Sequence, residues 1–188
     1  MKKILALVTL LALLACTGCG AANHLQAVTA DGLSLSVPDH LVVFTRDMAE
    51  DDPLLVSYDT NSQGITRGLS ARSSYAYIFD EDMTFGLDLC RISSPTEDYK
   101  SLDAQGREDL VSEYAAALPE GSQVQCLTLN GELWIHYGLP TDQGYMAQWA
   151  TNRNNRLYYA TLTAGDQAAA QAQAPWIQEM LTGISFGE

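Results

Sequence analysis

The 188-residue sequence is short of positive charge. Lys and Arg supply 10 residues against 23 acidic ones, a formal balance of −13 at pH 7. A surface of that sign repels phosphate backbones and anionic headgroups, so nucleic acid is not an expected partner. Histidine is scarce as well, and the three copies, His24, His40 and His136, are scattered. The P-loop pattern G-x-x-x-x-G-K-[ST], the zinc-protease pattern H-E-x-x-H and the dinucleotide pattern G-x-G-x-x-G are missing, which removes the local starting points for those chemistries. The carboxylate clusters Glu50-Asp51-Asp52 and Asp80-Glu81-Asp82 lack the Asp-x-Asp-x-Asp-Gly spacing that converges oxygens on calcium. We therefore expect no metal and no other cofactor.

Long apolar runs are equally few. Residues 4–15, behind Lys2 and Lys3, form one uncharged stretch. It is shorter than the about 20 residues that span a bilayer, and it has the proportions of a signal peptide. The segment Leu13-Leu14-Ala15-Cys16 resembles the bacterial lipobox, with a large aliphatic residue at −3 and a small one at −1. In such precursors the cysteine is acylated and becomes the first residue, so Cys16 is the expected lipidation site. Cys19 is the alternative, although it would place Cys16 where a branched aliphatic residue is usual. A redox reading of Cys16-Thr17-Gly18-Cys19 would need a folded helix start to depress a thiol pKa. A zinc clip would need a second ligand pair, and only His24 is near. An acylated anchor accounts for the cysteine more simply. The expected division is a signal peptide over 1–15, a tether over 16–30 and one domain over 31–188. Loss of Lys2 and Lys3 with the leader would deepen the negative charge by two.

Within the domain, Leu33, Leu35 and Val37 alternate on one strand face, Pro38-Asp39 turns the chain, and Leu41 to Thr45 is the expected return strand. Asp51 or Asp52 caps a short helix with Pro53 in its first turn, and a further helical turn or two falls at 65–72. Tyr75 to Phe79 and Met83 to Ile92 are expected to form a hairpin. Leu102, Leu110, Val111, Tyr114 and Leu118 share one side of a helix that Pro119 and Gly121 end. Four alternating runs follow, at 124–130, 132–139, 145–152 and 156–163, with Asn130-Gly131 and Asn154-Asn155 as tight turns. A helix over about 167–182, capped by Asp166 and kinked or restarted by Pro175, precedes a last strand at Gly183-Ile184-Ser185-Phe186.

This order resembles the PsbP-like α/β/α sandwich family. "LSLSVPDHLVVFTRD" is similar to that family's F-x-[FLV]-x-[VI]-P-x-x-[FW] hairpin, with His40-Leu41 in place of the usual Gly-Trp. "WIQEMLTGISF" is similar to its I-x-x-S-[IF]-x-F terminus. The resemblance implies an α+β fold, a single-domain α/β/α sandwich with a mainly antiparallel central sheet. It also implies a binding or assembly role rather than an enzymatic one, since the family is known for photosystem subunits and bacterial lipoproteins.

Strand pairing supplies the candidate site. A two-residue turn at Asn130-Gly131 sets residue 126 opposite 135 and residue 125 opposite 136. Val124, Cys126, Leu133, Ile135 and Tyr137 then fall on a core face, which Trp149, Tyr158, Ala160 and Leu162 are expected to join. The opposite face gathers Trp134, His136, Gln148 and Tyr159, either beneath a helix or around a recess for a ligand or partner. Cys90 and Cys126, each in an apolar run of an exported chain, are either bridged or buried as free thiols. The expected function is a membrane-anchored extracytoplasmic lipoprotein that binds or assembles, its partners being the membrane, through the anchor, and an unidentified protein. The alternative is a small ligand-sequestering or hydrolase-like protein that uses the Trp134/His136 face.

Overall fold

The computed structural model describes residues 25–30 and 32–186. The described chain runs β1 Leu25–Ala30, β2 Leu33–Pro38, β3 Val42–Thr45, α1 Pro53–Ser57, α2 Ser62–Ala71, β4 Ser74–Phe79 and β5 Phe85–Ser93. A 3-10 turn at Tyr99–Ser101 leads to α3 Ala104–Ala117. Then come β6 Gln123–Leu129, β7 Glu132–Thr141, β8 Gly144–Arg153, β9 Arg156–Ala164, α4 Gln167–Thr182 and β10 Ser185–Phe186. Seven strands form the central sheet in the order β3-β4-β5-β9-β8-β7-β6, and every neighbouring pair is antiparallel. A smaller sheet, β1-β2-β10, lies beside α4 on one face; α1, α2 and α3 lie on the other. The architecture is the α/β/α sandwich expected from the sequence.

Each helix starts where a short polar side chain accepts the orphan backbone N–H groups of its first turn. Asp52 takes Leu54 N–H at 2.9 Å, while Asn61, Asp103 and Asp166 take Gly64, Gly106 and Ala169 at 2.8 Å. Each cap contributes about 1 kcal/mol, so part of the acidic excess has a local structural role. Pro175 lies inside α4, which continues through it to Thr182; Pro175 is exposed, and no restart is needed.

Two cores flank the sheet. On the α4 side, Ile177, Met180 and Leu181 pack with Leu33, Leu35 and Val37 of β2 and with Leu87, Trp149 and Leu162 of the large sheet. On the other side, Leu110, Val111 and Tyr114 of α3 cover Leu133, Ile135 and Tyr137, and a separate group around Phe44 and Phe79 is covered from α1 and α2. The helical stripe inferred for 102–118 does face the core. Both Asn turns adopt positive φ at their two central residues, 49° and 79° at Asn130-Gly131 and 51° and 60° at Asn154-Asn155.

Three expectations are corrected. Residues 25–30, placed in the tether, form β1, which pairs with β2 along its whole length and buries Val28 and Ala30; residues 16–24 lie outside the described residues. Val42–Thr45 does not return along β2, because both edges of β2 are taken by β1 and β10. The turn closed by Leu41 N–H to Pro38 O at 3.1 Å sends the chain into the large sheet, where β3 pairs with β4. The third correction is the β7–β8 register, which decides the site.

Candidate functional site

β7 and β8 are joined through the pair Thr141–Gly144, with Asp142 and Gln143 as the two-residue loop. An odd residue therefore faces an even one: Ile135 lies opposite Ala150, His136 opposite Trp149, and Tyr137 opposite Gln148. The expected grouping was off by one residue across this pair, and a one-residue slip moves every side chain to the other face. Gly144 enforces the turn. Its φ is +138°, and a Cβ there would stand 2.2 Å from the Ala164 carbonyl oxygen.

The four expected site residues are thus divided. Gln148 and Tyr159 face the α1–α3 side. There the Gln148 amide donates to Thr161 Oγ1 at 2.8 Å and accepts from the Tyr137 hydroxyl. Nearby, Ser74 donates to Asp88 at 2.8 Å, and Arg72 pairs with the same carboxylate at 3.4 Å. Burial first, then the neighbouring Cys90 and Asp88, push the Tyr159 hydroxyl up to about 12. Burial likewise raises the Cys90 thiol, more than its hydrogen bonds with Ser74 and Tyr159 lower it. Neither group is prepared to ionise near neutral pH, and these polar atoms hold one another.

Trp134 and His136 face α4. Trp134 is buried in the core against Phe186 and belongs to the packing rather than to a recess. His136 borders a cleft of about 390 Å³ above the outer three strands, with α4 as its wall. Its ring stacks on Trp149, with centroids 4.5 Å apart and planes 17° apart, an arrangement worth about 1 kcal/mol beyond burial. His136 Nδ1 lies 3.0 Å from the Gln148 carbonyl oxygen. A carbonyl only accepts, so Nδ1 carries the proton. Burial holds the imidazole pKa below its ordinary value despite that bond, which leaves the ring neutral and Nε2 a bare acceptor. Nε2 has no partner among the described residues.

The remaining walls are amides. Gln123 and Gln125 rise from β6, and Gln167 and Gln171, one helical turn apart on α4, face them across the cleft. None of the four side chains has a hydrogen-bond partner among the described residues. Gly138 leaves room for the Tyr145 ring to cross β7, since a Cβ at 138 would meet the Tyr145 hydroxyl at 2.4 Å. No charged side chain borders the cleft, in a chain whose formal charge is −13. The hairpin pairing placed Gln125 on the His136 face, as observed; Gln123, Gln167 and Gln171 were not anticipated, although the i, i+4 spacing of Gln167 and Gln171 in an alanine-rich segment was a usable signal.

Other sequence candidates resolve differently. Cys16 and Cys19 lie outside the described residues. Cys90 and Cys126 are free thiols; three strands separate β5 from β6, about 19 Å at the usual spacing, which overturns the bridged alternative. Among the described residues no three His, Cys, Asp or Glu side chains form a metal-holding group, and no helix is long and apolar enough to cross a membrane. Asp80, at the β4–β5 connection, accepts from Thr84 and Phe85. Burial works to raise its carboxyl, but these bonds hold it below its ordinary value. Gly183-Ile184-Ser185-Phe186-Gly187 spells G-x-S-x-G, which corrects the expectation that this pattern is absent. A nucleophile elbow, however, turns from strand into helix. Ser185 is exposed on the two-residue β10, after a helix.

No family model matches the sequence, and no curated protein matches it. Among solved structures, the chain is similar to cyanobacterial PsbP from Synechocystis, with a TM-score of 0.47 and 10% identity over 90% of this chain and 96% of that one. It is also similar to a protein of unknown function from Pseudomonas aeruginosa, with a TM-score of 0.36 and 12% identity over 85% and 95% of the two chains. The first likeness is to the family that the terminal motifs resemble. At these values it adds nothing to the function, which is built from the side chains.

Proposed function

We propose that this protein is a lipoprotein anchored outside the cytoplasm through Cys16, with Cys19 as the alternative, and that it is a non-catalytic binding module whose site is the His136 cleft. The observation that carries the reading is the cleft's combination of unpartnered polar groups with an uncharged lining. Aromatic surface and a few convergent polar groups are what a ligand site requires. Four amides, the Tyr145 hydroxyl and the His136 acceptor favour an uncharged occupant that both donates and accepts hydrogen bonds. A hydrolytic use of His136 would call for a carboxylate on Nδ1 and a nucleophile in reach. A backbone carbonyl takes that place on Nδ1, and the lining offers no thiol or aliphatic hydroxyl.

Two measurements test the two halves. Mass spectrometry of the protein extracted from a bacterial membrane is expected to find a diacylated cysteine at 16; an uncut leader with both thiols bare would refute the anchor. Pull-down with the tethered protein is expected to recover a companion that Gln171→Glu releases, because the variant sets a charge in the cleft. Identical recovery by both forms would refute the site.

A further inference from the structure

Strand β6 ends the seven-stranded sheet, and nothing among the described residues pairs with its outer edge. The Asn130-Gly131 turn makes Leu129–Glu132 a hydrogen-bonded pair, so the inward bonds of β6 come from residues 123, 125, 127 and 129. The N–H and C=O groups of Val124, Cys126 and Thr128 therefore point outward and are unpaired. Edge strands are ordinarily blunted by charge, proline or a bulge. The β6 sequence QVQCLTL has no charge and no proline, and its ladder with β7 runs without a register shift. On this same strand Gln123 and Gln125 form the outer bank of the cleft.

We propose that β6 receives an extended, uncharged peptide segment of a partner protein as an eighth strand, with every second side chain directed to the cleft side of the sheet. This rests on the binding role proposed for the cleft and names the occupant. Backbone groups of an added strand match the alternating donors and acceptors of residues 124, 126 and 128, and the amides and His136 Nε2 read its side chains. Strand addition divides affinity and selectivity in this way. The uncharged edge and lining call for an uncharged segment. A second copy of this chain is disfavoured as the occupant, because it would bring another strongly acidic body to the same edge.

The test is selection of linear octapeptides from a phage-displayed library restricted to uncharged residues, against the whole mature chain, with the selected peptide resynthesised for anisotropy titration. Thr128→Pro removes one outward N–H and no bond to β7. It is expected to weaken binding about tenfold or more while the melting temperature holds. N-methylation of alternate peptide amides is expected to abolish binding to the unaltered protein, a readout independent of how Thr128→Pro folds. Hydrogen exchange at residues 126 and 128 is expected to slow when peptide is added. Binding that ignores both Thr128→Pro and N-methylation, yet falls with Gln171→Glu, would overturn strand addition and leave the cleft reading standing. A neutral disaccharide that binds where no peptide does, and is lost in Gln171→Glu, would overturn the peptide as occupant. A concentration-dependent dimer in sedimentation, dissolved by Thr128→Pro, would put a second copy in its place. Binding of a selected peptide that Gln171→Glu leaves unchanged would instead count against the cleft.

Discussion

Both faces of the central sheet carry polar and aromatic groups but treat them differently. On the α1–α3 side, two groups of polar side chains satisfy one another: Tyr137, Gln148 and Thr161 form one chain of bonds, and Ser74, Asp88 and Arg72 another. On the α4 side, around the cleft, the Nε2 of His136 and the amides of Gln123, Gln125, Gln167 and Gln171 face open space. Groups that answer each other specify a fold. Exposed groups without a protein partner are available to something else, and that contrast locates the site.

The largest expected effect breaks both faces together. Gly144→Ala would force a Cβ into the Ala164 carbonyl at a positive φ, and a destabilisation of roughly 2–4 kcal/mol is expected in denaturant unfolding. A loss below 1 kcal/mol would mean that this turn does not set the β7–β8 register. Next comes the satisfied side. Tyr137→Phe leaves the Gln148 side-chain amide oxygen without its donor, and a loss of about 1–2 kcal/mol is expected, with ligand affinity at the cleft unchanged.

A smaller effect comes from His136, whose folded pKa is depressed. The unfolded chain takes up a proton first as pH falls, so stability is complete above the ordinary value near 6.5 and declines as pH drops below it. Melting curves between pH 7.5 and 5 should show this slope, and His136→Asn should flatten it. The smallest effect belongs to the cleft amides. Gln125→Ala is expected to change stability by less than about 0.5 kcal/mol while weakening the selected peptide. A stability loss as large as that of Tyr137→Phe would erase the distinction between the faces.

Much of the fold was legible because its signals are local. Asp52 and Asp166 cap the helices they were assigned to, and Asn130-Gly131 and Asn154-Asn155 make turns through positive φ. β1 was missed because "LQAVTA" has modest strand preference, and it is held by tertiary pairing with β2. The site was half legible. His136 was assigned correctly relative to β6, whereas Gln148 and Tyr159 were misplaced by a turn whose cue was a single glycine at 144. The amides of α4 were hidden by composition: an alanine-rich helix displays periodicity only through the few residues that are not alanine.

The protonation of His136 tests the account most directly, because it depends at once on the register, the stack with Trp149 and the open acceptor. Long-range nitrogen–proton NMR of the imidazole at pH 7 should find a neutral ring with the proton on Nδ1, and a titration midpoint below 6.5. A proton on Nε2, or a midpoint above the ordinary histidine value, would contradict it.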